Sequence, residues 1–177
     1  TSTFLFDDVA QGGKAFSTPD HAGSHIYTRI SNPNNNALEK AITALECYDL
    51  DAQEYTSLVF GTGMAAISSS IMALAKKGRV LAQDALYGCS SQLLFEQAPE
   101  WGIEATFIDF TDVNAFEHAL MTHKDVKVVY MESITNPTMR VAPLDKIIEI
   151  SHQHNALVIV DNTFASSMYC RPLNFGA

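Results

Sequence analysis

Short apolar runs alternate with amphipathic stretches of helical length from about residue 57 onward, and this alternation leaves few folds open. Residues 57–60, 79–82, 105–108, 126–131 and 157–160 read as strands, and residues 63–75, 89–97, 112–121 and 144–154 as the helices between them. Thr111 or Asp112 is the expected N-cap of the third helix. Strands separated by helices build βαβ units, so the expected class is α/β, a mostly parallel sheet with helices on both faces. The run 156–160 is apolar without alternation, as a strand covered on both faces requires, and it ends in Asp161. That places a carboxylate at the carboxyl edge of the sheet, where open α/β folds bind ligands.

The first 36 residues differ. Gly12-Gly13, Pro19, Gly23 and the polar run Ser31-Asn32-Pro33-Asn34-Asn35-Asn36 predict an extended arm before a helix over 37–46. Residues 47–55 read as a polar, acidic connection and a surface loop. With 177 residues the chain can bury a sizeable single-domain core. Its 11 basic against 20 acidic residues give a net charge of −9, which disfavours nucleic acid and anionic membrane partners. Cys47, Cys89 and Cys170 lack zinc-knuckle spacing and cannot all pair, so no metal is expected and a reducing, cytoplasmic setting is. No run approaches membrane-spanning length. The missing initiator Met and the ending Asn174-Phe175-Gly176-Ala177 read as ends cut from something longer.

Several residues are candidates for chemistry. Gly61-Thr62-Gly63-Met64-Ala65-Ala66 sits between a strand candidate and a helix; it reads either as a tight turn or as a phosphate cradle of backbone amides. Arg29, one of only four arginines, lies beside Tyr27 in the polar arm, and an arginine fork with a phenol suits a phosphate as well as plain exposure. Tyr87 follows the 79–82 run and can stack on a flat ring or pack. Asn136 follows the 126–131 run and can donate from its amide or serve turn chemistry before Pro137. Asp161 itself can bind a ring nitrogen, cap a helix or hold a metal.

Taken together, Tyr27-Thr-Arg-Ile-Ser-Asn-Pro33, Leu38-Glu39, Gly63-Met64-Ala65-Ala66, Leu86-Tyr87-Gly88, Glu132-Ser133 with Thr135-Asn136-Pro137, and Val160-Asp161-Asn162-Thr163 resemble the Cys/Met metabolism enzymes that depend on pyridoxal 5′-phosphate (PLP). The resemblance implies the type I, aspartate-aminotransferase-like PLP fold, here truncated, with residues 1–36 as an arm contacting a partner subunit and 37–177 as an incomplete PLP-binding large domain. It implies Tyr27 and Arg29 as phosphate ligands in a neighbouring subunit's site, and Gly63 and Met64 as backbone donors to the phosphate of their own. By the same resemblance Tyr87 stacks on the ring and exchanges protons, Asn136 contacts the ring hydroxyl, Asp161 the ring nitrogen, and Thr163 lies beside the ring.

The reaction expected from the resemblance is that of a PLP-dependent carbon–sulfur lyase in transsulfuration or related amino-acid metabolism: γ-elimination of methionine or homocysteine, or cleavage of cystathionine. O-acyl-homoserine sulfhydrylation, cystathionine γ-synthesis and a non-catalytic remnant are the alternatives. Relatives carry a Schiff-base lysine after Asp161, whereas Lys146 is the last lysine here, so the 177 residues alone are expected to be inactive and the parent an enzyme. A homodimer or homotetramer with shared sites is expected. Cys89 stands where most relatives have glycine and resembles the methionine γ-lyases; its thiol either tunes Tyr87 at the site, as a catalytic residue, or fills space as a small buried side chain.

Overall fold

The computed structural model describes residues 2–17 and 25–177. The chain divides into two compact units, Thr1–Leu45 with Asp51–Val59 and Glu46–Leu50 with Phe60–Ala177. The first holds α1 (Val9–Ser17) and nearly all of α2 (Pro33–Glu46). The expected extended arm is therefore partly helical. Asp8 Oδ1 accepts from the Gln11 N–H at 2.7 Å and Gln11 Oε1 accepts from the Asp7 N–H at 2.6 Å, a reciprocal cap that starts α1 ahead of Gly12-Gly13. Likewise Pro33 suits a first helical position, and Asn32 Oδ1 accepts from the Asn34 N–H at 2.9 Å, so the asparagine run is the first turn of α2. Among the described residues, extended pairing survives there as one antiparallel bridge between Thr3 and Tyr27. Pro19 and Gly23 lie outside the described residues.

Residues 57–60 form no strand. The Val59 N–H goes to Glu39 Oε1 at 3.0 Å, and the Ser57 and Thr43 hydroxyls share a 2.7 Å hydrogen bond, so side chains of α2 take the place of a neighbouring strand.

The second unit is built on β1 (Arg79–Gln83), β2 (Glu104–Ile108), β3 (Val126–Glu132) and β4 (Leu157–Asp161), all parallel in the order β2-β1-β3-β4. Alternate residues of each strand enter opposite cores. Leu81, Val129, Met131 and Val158 pack with Phe116, Leu120, Ile147 and Ile148 from α5 (Val113–Thr122) and α6 (Leu144–Gln153). On the other face Val80, Ala82, Val128 and Tyr130 meet Ile71 of α3 (Gly63–Leu74) and Leu93, Leu94 and Ala98. The last three belong to a segment that starts as α4 (Gly88–Gln92), widens to a π turn at Leu93–Gln97 and tightens to a 3₁₀ turn at Ala98–Trp101, where Pro99 has no N–H to continue the helix. A short α7 (Ser166–Tyr169) follows β4.

Asp112 caps α5, accepting from the Ala115 N–H at 3.0 Å. Asp112→Ala should cost about 1 kcal/mol, read as a lower urea midpoint with an unchanged denaturant slope. The expected surface loop at 47–55 is in part held down. Cys47 is buried, Arg171 bonds Asp49 Oδ2 at 3.0 Å, and the same guanidinium lies 5.1 Å from the centre of the Tyr48 ring. No helix among the described residues is long and apolar enough to cross a membrane.

This strand order fixes where a ligand can sit. From β1 the chain passes to β2 on one side and then crosses back to β3 on the other, so the loops leaving β1 and β3 diverge and open a crevice at their carboxyl ends.

Candidate active site

A cavity of about 380 Å³ occupies that crevice. Gly63, Met64, Tyr87, Asn136, Asp161 and Thr163 line it together, with Thr62, Ile67, Glu132, Ile134 and Phe164. Six of the expected site residues, separated by up to a hundred positions in sequence, thus converge because each lies at a helix start or strand end on one edge of one sheet.

Thr62 caps α3: its Oγ1 accepts from the Ala65 N–H at 3.1 Å and its carbonyl from the Ala66 N–H at 3.2 Å. The N–H groups of Gly63 and Met64 precede the first intrahelical bond and carry the positive end of the helix dipole. Neither Gly61 nor Gly63 has an unusual φ, and a Cβ on either would meet nothing within 4 Å. Sterics and backbone conformation thus give no reason for glycine there. Close approach by an anion does, and this open cradle is what a phosphate group requires.

Elsewhere in the lining Asp161 Oδ1 accepts from the Thr163 N–H at 3.0 Å and the Thr163 hydroxyl at 2.5 Å. Both bonds fall on Oδ1, which fixes the carboxylate's orientation while Oδ2 can accept from a ring nitrogen. Tyr130 lies fully buried, its hydroxyl donating to Ser90 Oγ at 3.3 Å. Burial, with the charges of Asp161 and Glu132, raises its phenol far above the ordinary value, so it stays neutral.

Tyr87 is exposed to the cavity, and its phenol is pushed up chiefly by hydrogen bonding to Cys89 and by electrostatic interaction with that side chain. Cys89 itself does not line this cavity. Two positions into a helix a side chain turns away, and it faces an adjoining groove with Ser68, Met72, Gln92 and Trp101, which shares Met64 with the main cavity. Tyr27 and Arg29 belong to the first unit, where the Arg29 guanidinium lies 5.1 Å from the centre of the Tyr27 ring.

Glu132 is the residue to which the sequence reading gives no role. Only 3% exposed, it ends β3 in register with Asp161 of β4. Burial pushes its carboxyl up, N–H bonds from Tyr87 and Asn136 pull it back, and the charge of Asp161 adds a further upward push. Being raised, it stabilises the fold most fully below its ordinary value and loses that contribution as pH rises through the raised one. An acid closing the apolar run 128–131, as Asp161 closes the run before it, was the available signal. The loop beyond it is fastened by Arg140, which bonds Asp109 Oδ2 at 2.9 Å and Asp84 Oδ1 at 2.6 Å at the ends of β2 and β1. The Asn136–Pro137 bond within that loop is cis.

Backbone amides at a helix start, an aromatic ring and a carboxylate line one cavity at a topological switch point, a donor set that fits a phosphorylated heteroaromatic ring. The profile of the Cys/Met metabolism PLP-dependent enzymes matches residues 1–177, and the chain belongs to that family. It is 38% identical over its whole length to the L-methionine gamma-lyase of Fusobacterium nucleatum subsp. polymorphum, of which it covers 43%, and 34% identical over 87% of its length to a cystathionine beta-lyase of Bacillus subtilis, of which it covers 37%. A crystal structure assigned as an O-acetylhomoserine (thiol)-lyase from Campylobacter jejuni, carrying a pyridoxyl-lysine phosphate group, superposes with a TM-score of 0.83 at 25% identity. The likeness takes in all of this chain and 41% of that one. The fold is the type I PLP fold, the family's cofactor is PLP, and the chain spans less than half the length of these relatives.

Proposed function

We propose that the enzyme carrying these residues is a PLP-dependent lyase that eliminates the γ-thiol of methionine, homocysteine or cystathionine. The observation that carries this reading is the convergence of the α3 amides, Tyr87 and Asp161 on the 380 Å³ cavity. PLP supplies the electron sink for the charge left at the substrate's α-carbon when its proton departs. The Gly63 and Met64 amides hold the phosphate. Asp161 would accept from the protonated ring nitrogen, and Asn136 would meet the ring hydroxyl. Tyr87 would stack on the ring, and Thr163, whose N–H donates to Asp161 Oδ1, would keep that carboxylate oriented for it. With its phenol raised, Tyr87 holds a proton at neutral pH and delivers it to the departing thiolate, and Cys89 sets how firmly that proton is held.

A chain of net charge −9 offers a phosphate dianion little beyond a helix start. A second copy that brings Tyr27 and Arg29 to the phosphate would make up the deficit, so the enzyme is read as a homodimer or homotetramer with shared sites, in a cytoplasmic setting. The second reading, sulfhydrylation of an acylated homoserine, draws on the structural likeness to the Campylobacter protein.

Parallel assays separate the two readings. α-Keto acid release from methionine, homocysteine and cystathionine is compared with homocysteine formation from an acylated homoserine plus sulfide. Leading release from methionine or homocysteine is the expected result, and a strong preference for the acylated homoserine overturns it. Cys89→Gly should change the ranking of thioether substrates about fivefold, the worth of about one hydrogen bond; an unchanged ranking removes Cys89 from the mechanism.

A further inference from the structure

Glu132 is a buried carboxylate with no ion-pair partner among the described residues, an arrangement that costs free energy unless its oxygens are well occupied. They are occupied by main chain. Oε1 accepts from the Tyr87 N–H at 2.6 Å and Oε2 from the Asn136 N–H at 2.8 Å, while the Glu132 N–H donates to Gln83 Oε1 of β1 at 3.2 Å. Tyr87 lies in the loop after β1 and Asn136 in the loop after β3, the two loops that diverge at the switch point. One carboxylate therefore ties together the two segments that topology drives apart.

A neutral residue could fill the same space. What a carboxylate adds is two equivalent acceptors at a separation fixed by its own covalent geometry, with short charge-assisted bonds to both amides. The backbone that presents the stacking ring and the backbone that presents the ring-edge amide are then locked to each other, and a stacking face and an edge donor can serve one flat ligand only at a fixed spacing. We propose that Glu132 is a positioning residue that holds Tyr87 and Asn136 in a single register across the mouth of the cavity. The cofactor part of this assignment rests on the proposed PLP site; the brace itself does not.

The test starts with the full chain without added PLP. In wild type the amide protons of Tyr87 and Asn136 should titrate together in NMR, with one midpoint above the ordinary glutamate value, while the Thr163 amide, held by Asp161, should not follow them. Glu132→Gln offers one oxygen and one NH2 group, so one of the two N–H groups faces a donor. Exchange of that amide should quicken about tenfold, with Thr163 unchanged. In the same variant PLP affinity should fall about tenfold, and the circular dichroism that the protein induces in bound PLP should weaken. Glu132→Asp, which keeps the charge but shortens its reach, should fall between the two. Separate titrations of the two wild-type amides overturn the brace, a result that needs no variant to fold. Unchanged PLP affinity and dichroism in a folded Glu132→Gln overturn the positioning role. If wild type shows the common titration yet binds no PLP, the cofactor part falls with the cavity reading and the brace stands.

Discussion

Asp161→Asn should lower turnover of the enzyme carrying these residues by about a thousandfold while leaving its fold in place. Asparagine has nearly the same shape and its Oδ1 can still accept from the Thr163 N–H and hydroxyl, so the turn after β4 survives. What disappears is the charge. A carboxylate beside a ring cation at about 4 Å contributes about 4 kcal/mol at an effective dielectric of 20, equivalent to about three powers of ten in rate. The signature is therefore specific: a ¹⁵N-labelled PLP ring that is protonated in the wild-type protein becomes neutral in the variant at the same pH, with a thermal midpoint close to wild type. An unchanged ring nitrogen would remove Asp161 from its role whatever happened to turnover.

Much of this was legible because period and burial act locally. The runs at 79–82, 105–108, 126–131 and 157–160 became strands since each is mostly apolar and finds a parallel neighbour. Residues 57–60 are also mostly apolar but have no such neighbour among the described residues. Their pairing is with side chains of α2, which composition does not reveal. In α1 the Gly12-Gly13 pair pointed away from helix, yet Asp8 and Gln11 have capping spacing and decide the matter. The site divides the same way. That Gly63, Asn136 and Asp161 lie at one sheet edge can be read from sequence because they follow strands or open helices, whereas the contacts of Glu132 depend on which distant loops return to it, and only tertiary structure says that these are Tyr87 and Asn136. Cys89 is close to Tyr87 in sequence but turns with α4 toward the neighbouring groove.

The central claim is that the start of α3 holds the phosphate of PLP, and Gly63→Asp tests it by moving stability and binding in opposite directions. A side chain at Gly63 meets open space and an ordinary φ, so the fold accepts it. An acid in the first helical turn favours the helix by about 0.3–1 kcal/mol, and replacing glycine there also restricts the unfolded chain. The thermal midpoint should hold or rise. A phosphate dianion against that carboxylate at about 4 Å costs about 2 kcal/mol in bulk water and about 8 kcal/mol at a dielectric of 20. The exposed mouth places the value near the lower end, about 3 kcal/mol or a hundredfold in affinity. Equilibrium dialysis of PLP against wild type and Gly63→Asp, with ³¹P NMR of the bound phosphate, is the direct measurement. Wild type should shift and broaden the phosphorus resonance, and affinity should be about a hundredfold weaker in a variant at least as stable. Equal affinity for PLP in the two proteins would contradict the claim.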